Sequence, residues 1–210
     1  RRIPCEFVGA NEAEPDDLVP YFSGFGAGRV MRALYETLVE VRMNQKPDGS
    51  VSVEYVPMLA ESYRQTSSTT FEFKLRPGVT FHDGEPWNAA AAKSAADIFL
   101  DPKLAASLKK SAILTSVAKE ARVVDPMTIE FTSLAPTSEN EFLFATRLGY
   151  SGVSPRALKD RGGIAGMLEL PVGTGPFVPT RATRATPGDL GDLGDPVSYT
   201  HPTLPPSYPV

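Results

Sequence analysis

Phe71-Glu72-Phe73-Lys74-Leu75-Arg76-Pro77-Gly78-Val79-Thr80-Phe81-His82-Asp83-Gly84-Glu85-Pro86 is the stretch on which the fold turns. Its first half alternates strictly, with Phe71, Phe73 and Leu75 on one face of a strand and Glu72, Lys74 and Arg76 on the other. Pro77-Gly78 ends that strand, and Phe81 to Pro86 follows as a turn-like string. Upstream, residues 61–65 supply the partner strand of a hairpin. Earlier still, residues 37–43 and 51–56 flank Pro47-Asp48-Gly49 and predict another hairpin, with Val51, Val53 and Tyr55 alternating.

Downstream, Asn88 is a plausible N-cap for a helix whose Ala92, Ala95, Ala96 and Phe99 form a narrow apolar stripe, stopped by Asp101-Pro102. Residues 103–112 predict a short helical piece. Residues 117–124 and 128–133 surround Asp125-Pro126-Met127 as a third hairpin. A helix is expected over 138–147, a short strand over 149–153, and a helix opened by Pro155 at its favoured first position. Toward the N-terminus, residues 5–10 read as a strand, and Glu14-Pro15-Asp16-Asp17 as a turn. A loop rich in glycine and aromatics, residues 21–28, leads into a helix over 29–37, with Val30, Met31, Leu34 and Leu38 on one face. Strands and helices mix and hairpins dominate the middle third. The expectation is an α/β or α+β body with an inserted, mainly antiparallel subdomain.

The 210 residues carry 21 basic and 25 acidic side chains, a formal net charge of -4. Nothing in that balance neutralises phosphates, which argues against nucleic acid as a partner. The single Cys5 makes neither an internal disulfide nor a four-ligand zinc site, and no metal site is expected. No apolar run approaches the ~18 residues of a membrane-spanning helix. Residues 1–5 show no signal-peptide core, and no lipobox-like run precedes Cys5, so an export signal or lipid anchor is expected to be missing from this chain or already removed.

Catalytic signatures are sparse. His82 beside Asp83 is the one local pair suited to acid-base work, yet its Asp-Gly turn setting favours a structural role. Gly-x-Ser-x-Gly, His-Glu-x-x-His and P-loop patterns are missing, and Gly24-x-Gly26-x-Gly28 fails the dinucleotide fingerprint in spacing. Those glycines let the backbone bend around a neighbour, either a ligand or another loop. Tyr21, Phe22, Phe25 and Trp87 are candidates to stack on a ligand, with a core position favoured for Trp87. Pro171-Val172-Gly173-Thr174-Gly175-Pro176-Phe177 allows close backbone approach and a sharp change of direction, which suits a crossing between domains.

Seven of the 20 prolines fall in residues 179–210, among short Thr-Arg-Ala and Gly-Asp-Leu repeats with no structural period. The last part, from Pro196 to Pro206, resembles translated sequencing-adapter DNA. Residues 179–210 are therefore expected to be a disordered tail foreign to the gene.

Four strings, Leu34-Tyr35-Glu36-Thr37-Leu38-Val39, Pro57-Met58-Leu59-Ala60-Glu61-Ser62-Tyr63, the 71–86 stretch and the 171–177 stretch, occur in the order and spacing of a known family. Over residues 6–178 the chain resembles the N-terminal part of the family 5 extracytoplasmic solute-binding proteins of ABC importers, the peptide- and nickel-binding type. The resemblance implies a periplasmic-binding-protein-like fold of type II with an extra subdomain, here reduced to an incomplete first lobe. Residues 1–38 and 146–178 would form that lobe and 39–145 the inserted subdomain. Family members are around twice as long, so the second lobe would be absent.

The function implied is ligand capture without catalysis, outside the cytoplasmic membrane, by the substrate-binding component of an importer. Partners would be a peptide or similar small solute and the ABC permease subunits. Contact with the membrane would come only through the permease or a missing lipid anchor, and no cofactor is implied. Cleft-bordering positions of the family fall on Tyr21, Phe22, Ser23 and Phe25, and on Arg147, Tyr150 and Ser151. The family also tends to carry acidic residues where this chain has Ala89-Ala90-Ala91-Ala92, which removes favourable charge from the helix start. Two other readings stand beside this one: a truncated fragment that binds nothing, and, remotely, a hydrolase using His82.

Overall fold

The computed structural model describes residues 28–101, 112–167, 171–179 and 199–200. The expected strand at 5–10, the loop at 21–27 and most of the helical piece at 103–112 lie outside the described residues, as does nearly all of the 179–210 tail.

Helix α1 (Gly28–Leu34) is followed by β1 (Val39–Gln45) and β2 (Val51–Pro57), an antiparallel hairpin in which Val39 faces Pro57 and Gln45 faces Val51. Its turn is held by the Asp48 carboxylate, which accepts from the backbone N–H of Ser50 at 2.9 Å, while Gly49 takes a φ of 83° that disfavours other residues. Val39 and Val41 are buried, whereas Met43, Val51 and Val53 near the turn are exposed. The hairpin's apolar face therefore runs beyond the body that covers its base.

Strands β3 (Ala60–Ser67), β4 (Thr70–Leu75), β5 (Ala118–Asp125) and β6 (Thr128–Ser133) form one antiparallel sheet in the order β3-β4-β6-β5. Two sequence-local hairpins are joined edge to edge by β4 and β6, with Phe71 opposite Phe131 and Phe73 opposite Ile129. Period-2 alternation sends Phe71, Phe73, Leu75, Ile129 and Phe131 to the covered face, all of them buried. On the open face the register lines up Arg64, Glu72, Glu130 and Arg122 in one row across the four strands. Arg64 pairs with Glu72 at 2.6 Å and Arg122 with Glu130 at 2.8 Å, so each of the two adjacent carboxylates has its own arginine. Exposed pairs of this kind contribute only about 0.2–1 kcal/mol each, but they favour this register over a slipped one.

Helix α2 (Ala89–Leu100) lies against β5 and β6. Asn88 caps it as expected, its side chain accepting from the Ala91 N–H at 3.0 Å. Ala92, Ala95, Ala96 and Phe99 are buried, and so are Ala89 and Ala91. Most of the first turn is thus core, and only Ala90 offers an exposed position for an acidic residue. Helix α3 (Ala112–Val117) precedes β5, and α4 (Glu139–Gly149), capped by Ser138, lays Phe142 flat on Phe71 with ring centroids 4.1 Å apart. Phe73 and Phe131 contact the same ring, and Phe131 meets Tyr150 edge-on at 6.0 Å. Helix α5 (Pro155–Asp160) starts at Pro155 behind the N-cap Ser154.

Two expectations are corrected. Helix α1 stops at Leu34 rather than residue 37, because a later segment captures its last carbonyl groups. Residues 150–154 are extended but form no strand: Gly152 donates to Glu36 O and Ser154 to Val172 O, single bonds to two neighbours instead of one ladder. Of the tail, the described residues lie in β7 (Val178–Pro179) and β8 (Tyr199–Thr200), paired over two residues.

Phe142 joins α4 to the sheet through three aromatic contacts, so Phe142→Ala is expected to cost about 3–5 kcal/mol. Urea denaturation followed by fluorescence of the buried Trp87 measures it.

Candidate functional site

The second half of the 71–86 stretch forms a compact turn after β4. Phe81 N–H donates to Glu85 O at 2.8 Å and Gly84 N–H to Phe81 O at 2.9 Å, leaving the side chains of His82, Asp83 and Glu85 at the turn's edge. Phe81 and Trp87 pack beneath it, ring centroids 5.8 Å apart. Trp87 is buried and donates its Nε1–H to Leu59 O at 3.2 Å, so it is a core residue, as favoured.

Two segments dock on this turn. One is the start of α5: Ser154 Oγ donates to Asp83 Oδ2 at 2.6 Å and accepts from the Ala157 N–H at 3.1 Å. Glu85 Oε2 accepts from the Arg156 N–H at 2.8 Å, and Arg156 Nη2 donates to Asp83 O at 2.7 Å. Two carboxylates thus sit at a helix N-terminus, where unpaired N–H groups favour negative charge. Burial pushes the Asp83 carboxyl up, but hydrogen bonds from Ser154, the Glu85 amide and Arg156, with the Arg156 charge, outweigh it and hold the group below 3.8.

The other segment is 171–177. His82 N–H donates to Gly173 O at 2.9 Å, and Gly173 N–H donates back to His82 Nδ1 at 3.3 Å. With Nδ1 accepting, the proton is on Nε2, which donates to Gly175 O at 2.8 Å. Both ring nitrogens are spent on backbone. Burial holds the imidazole below its ordinary 6.5, against the opposing effects of the Gly175 carbonyl and Asp83.

The same segment seals the end of α1. Gly175 N–H donates to Leu34 O and Phe177 N–H to Ala33 O, each at 2.9 Å. Approach is so close that a Cβ on Gly173 would overlap the Leu34 carbonyl oxygen and lie 2.5 Å from Tyr35 Cδ1, while one on Gly175 would lie 2.5 Å from Ala33 O. Glycine is required at both positions by contact, as the spacing suggested. Between them Thr174 Oγ1 is buried without a hydrogen-bond partner among the described residues.

The ligand candidates are dispersed. Tyr21, Phe22, Ser23 and Phe25 lie outside the described residues. Arg147 falls in the last turn of α4, and Ser151 is half-buried just beyond it. Tyr150 is 1% exposed, packs on Phe99, and its hydroxyl donates to Ala92 O at 2.9 Å. Sequence reading missed Ser154 and Arg156 as partners of the turn. The Pro155 helix start was legible, but nothing in it named Ser154 and Arg156 as contacts of the turn. Among the described residues no group of acidic, His and Cys side chains is arranged to hold a metal ion, and no helix is long and apolar enough to cross a membrane.

The model of the bacterial extracellular solute-binding proteins, family 5 Middle, matches residues 54–186, more than half of the chain. The glutathione-binding protein GsiB of Escherichia coli K12 is 37% identical over 124 residues, covering 57% of this chain and 22% of GsiB. The chain thus spans about a fifth of the curated relatives it matches. Among solved structures, AgaA of A. tumefaciens R10 in complex with agropinic acid aligns with a TM-score of 0.61 and 29% identity, over 82% of this chain and 32% of AgaA. A dipeptide binding protein of Pseudoalteromonas sp. SM9913 in complex with Met-Leu aligns with a TM-score of 0.65 over 83% of this chain and 37% of its own, and at 20% identity it shows the shared fold.

Two outcomes follow from this junction. Gly175→Ala is expected to destabilise by about 3 kcal/mol through backbone overlap, whereas Thr174→Val, which removes the orphan hydroxyl, is expected to be neutral or stabilising by up to about 1 kcal/mol, both read by urea denaturation. Asp83, held below 3.8 in the folded chain, contributes stability that is present above that value and lost as pH falls through its folded pKa. Stability measured against pH below about 4 is expected to fall less steeply in Asp83→Asn than in the wild type.

Proposed function

Since the chain belongs to the bacterial extracellular solute-binding proteins of family 5, we propose that it derives from the substrate-binding component of an ABC importer. That component captures a peptide or similar small solute outside the cytoplasmic membrane and presents it to the permease without chemical change. The observation that carries this reading is the junction at 81–86, 150–156 and 171–177. There the His82 ring is bonded to the backbone of 173–175, Glu85 to the Arg156 N–H, and Asp83 to Ser154 Oγ and Arg156, so the polar groups of the turn join segments of the lobe. A rigid lobe that binds needs such a junction, and an acid-base enzyme would need one of those groups free.

Under the same reading residues 1–38 and 146–178 belong to one lobe and 39–145 to an inserted subdomain. Ligand contacts from this lobe fall to Tyr21, Phe22, Ser23 and Phe25, with Arg147 and Ser151. Relatives named for glutathione and dipeptide binding, and a neighbour holding an opine, support a small zwitterionic or anionic solute.

Titration calorimetry with glutathione, a dipeptide set and opines, run on the 210-residue chain and on the longest reading frame that contains it, tests this. Expected is saturable binding by the longer protein with the ligand recovered intact, weakened about tenfold, or ~1.4 kcal/mol, by Arg147→Ala. Ligand turnover, or binding indifferent to changes at all six positions, would sink the reading.

A further inference from the structure

Among the described residues His82 is the one titratable side chain of the 81–86 turn bonded to the 171–177 segment, and it is so in a single protonation state. Neutral, with the proton on Nε2, it accepts from Gly173 N–H and donates to Gly175 O. Protonated, it would carry a hydrogen on Nδ1 aimed at the hydrogen of Gly173, so an attraction would become a repulsion. We propose that protonation of His82 unlatches the Gly173-Thr174-Gly175 segment from the turn, making the attachment of this crossing pH-sensitive.

Among the surroundings, burial disfavours the imidazolium while the Gly175 carbonyl and Asp83 favour it, and burial is the larger effect. On its own turn, Asp83 is committed to Ser154 Oγ and to the Arg156 guanidinium, 3.4 Å away, and Glu85 accepts from the Arg156 N–H. From the 150–156 segment the charge at the turn is that same Arg156, which is bonded to Asp83. The 171–177 segment carries no ionisable side chain. The end of α1 and its continuation bring Tyr35, packed beside Gly173, and Glu36. The direction of the His82 pKa, below 6.5, sets the sign: the latch is fully closed above that value and weakens as pH falls through the folded-state pKa, because the unfolded chain then binds the additional proton.

This inference does not depend on the ligand-binding reading, and its test contains no ligand. The chain holds two histidines, so His201→Gln isolates the His82 imidazole signal in nitrogen NMR. The ring and the exchange of the Gly173 amide are followed together from about pH 7.5 to about pH 4.5, with the Ala91 amide, bonded to Asn88, as the reference. Expected is a bare Nδ1 at neutral pH, then a rise of about tenfold in Gly173 exchange relative to Ala91, with the same midpoint as the ring and below 6.5. In His82→Gln that step is expected to vanish. A Gly173 amide that keeps its protection while the ring titrates overturns the proposal, as does a step that persists in His82→Gln. If that variant fails to fold, the paired midpoints in the His201→Gln protein decide alone.

Discussion

Ala33 and Leu34 end a helix whose last carbonyl groups have no partner within it, and the structure is organised around how they are satisfied. Gly175 and Phe177 supply the missing N–H groups, and each such bond contributes roughly 1 kcal/mol while an unmade one would cost more. To reach them the backbone of 173–175 must lie where no side chain fits. Once it lies there, its other side is presented to the 81–86 turn, and His82 closes on it. That turn in turn caps α5. One constraint, the sealing of a helix end, thus fixes three segments that are remote in sequence.

The sheet contributes the mass of the core and little of its connectivity. Phe71, Phe73, Ile129 and Phe131 present a wall to α2 and to Phe142, and each buried aromatic or aliphatic side chain is worth roughly 1.5–3 kcal/mol. This is a non-directional force. It holds layers together but does not choose which backbone groups meet. The polar junction does the choosing, since a misplaced Gly173 or His82 would leave buried donors and acceptors unpaired.

What was legible in the sequence follows the same division. Alternation at 71–75 and 128–133, the Asn88 cap and the Pro155 start are local signals, and each element appears within two or three residues of where the pattern put it. Pairing between β4 and β6 is not local, and nothing in either hairpin names the other as neighbour. The shortened α1 and the missing strand at 149–153 share a cause: hydrogen-bond partners drawn from segments that periodicity does not connect. Tyr150 shows the limit at the candidate site. A tyrosine at a helix end is suited equally to a ligand or to a buried carbonyl, and here the carbonyl of Ala92 takes its hydroxyl. Gly173 and Gly175 were readable as a place of close approach, but the surface they approach was not.

The distance along the chain between Leu34 and Gly175 also sets an order of events during synthesis. The ribosome releases the helix end and the 81–86 turn well before the segment that seals both. At about 5–20 residues per second that gap lasts on the order of 10 s. The sheet and its hairpins, whose contacts are closer in sequence, are complete within it. For that interval the nascent chain carries a finished hydrophobic wall beside an unsealed polar seam, the state in which a holding chaperone finds its client.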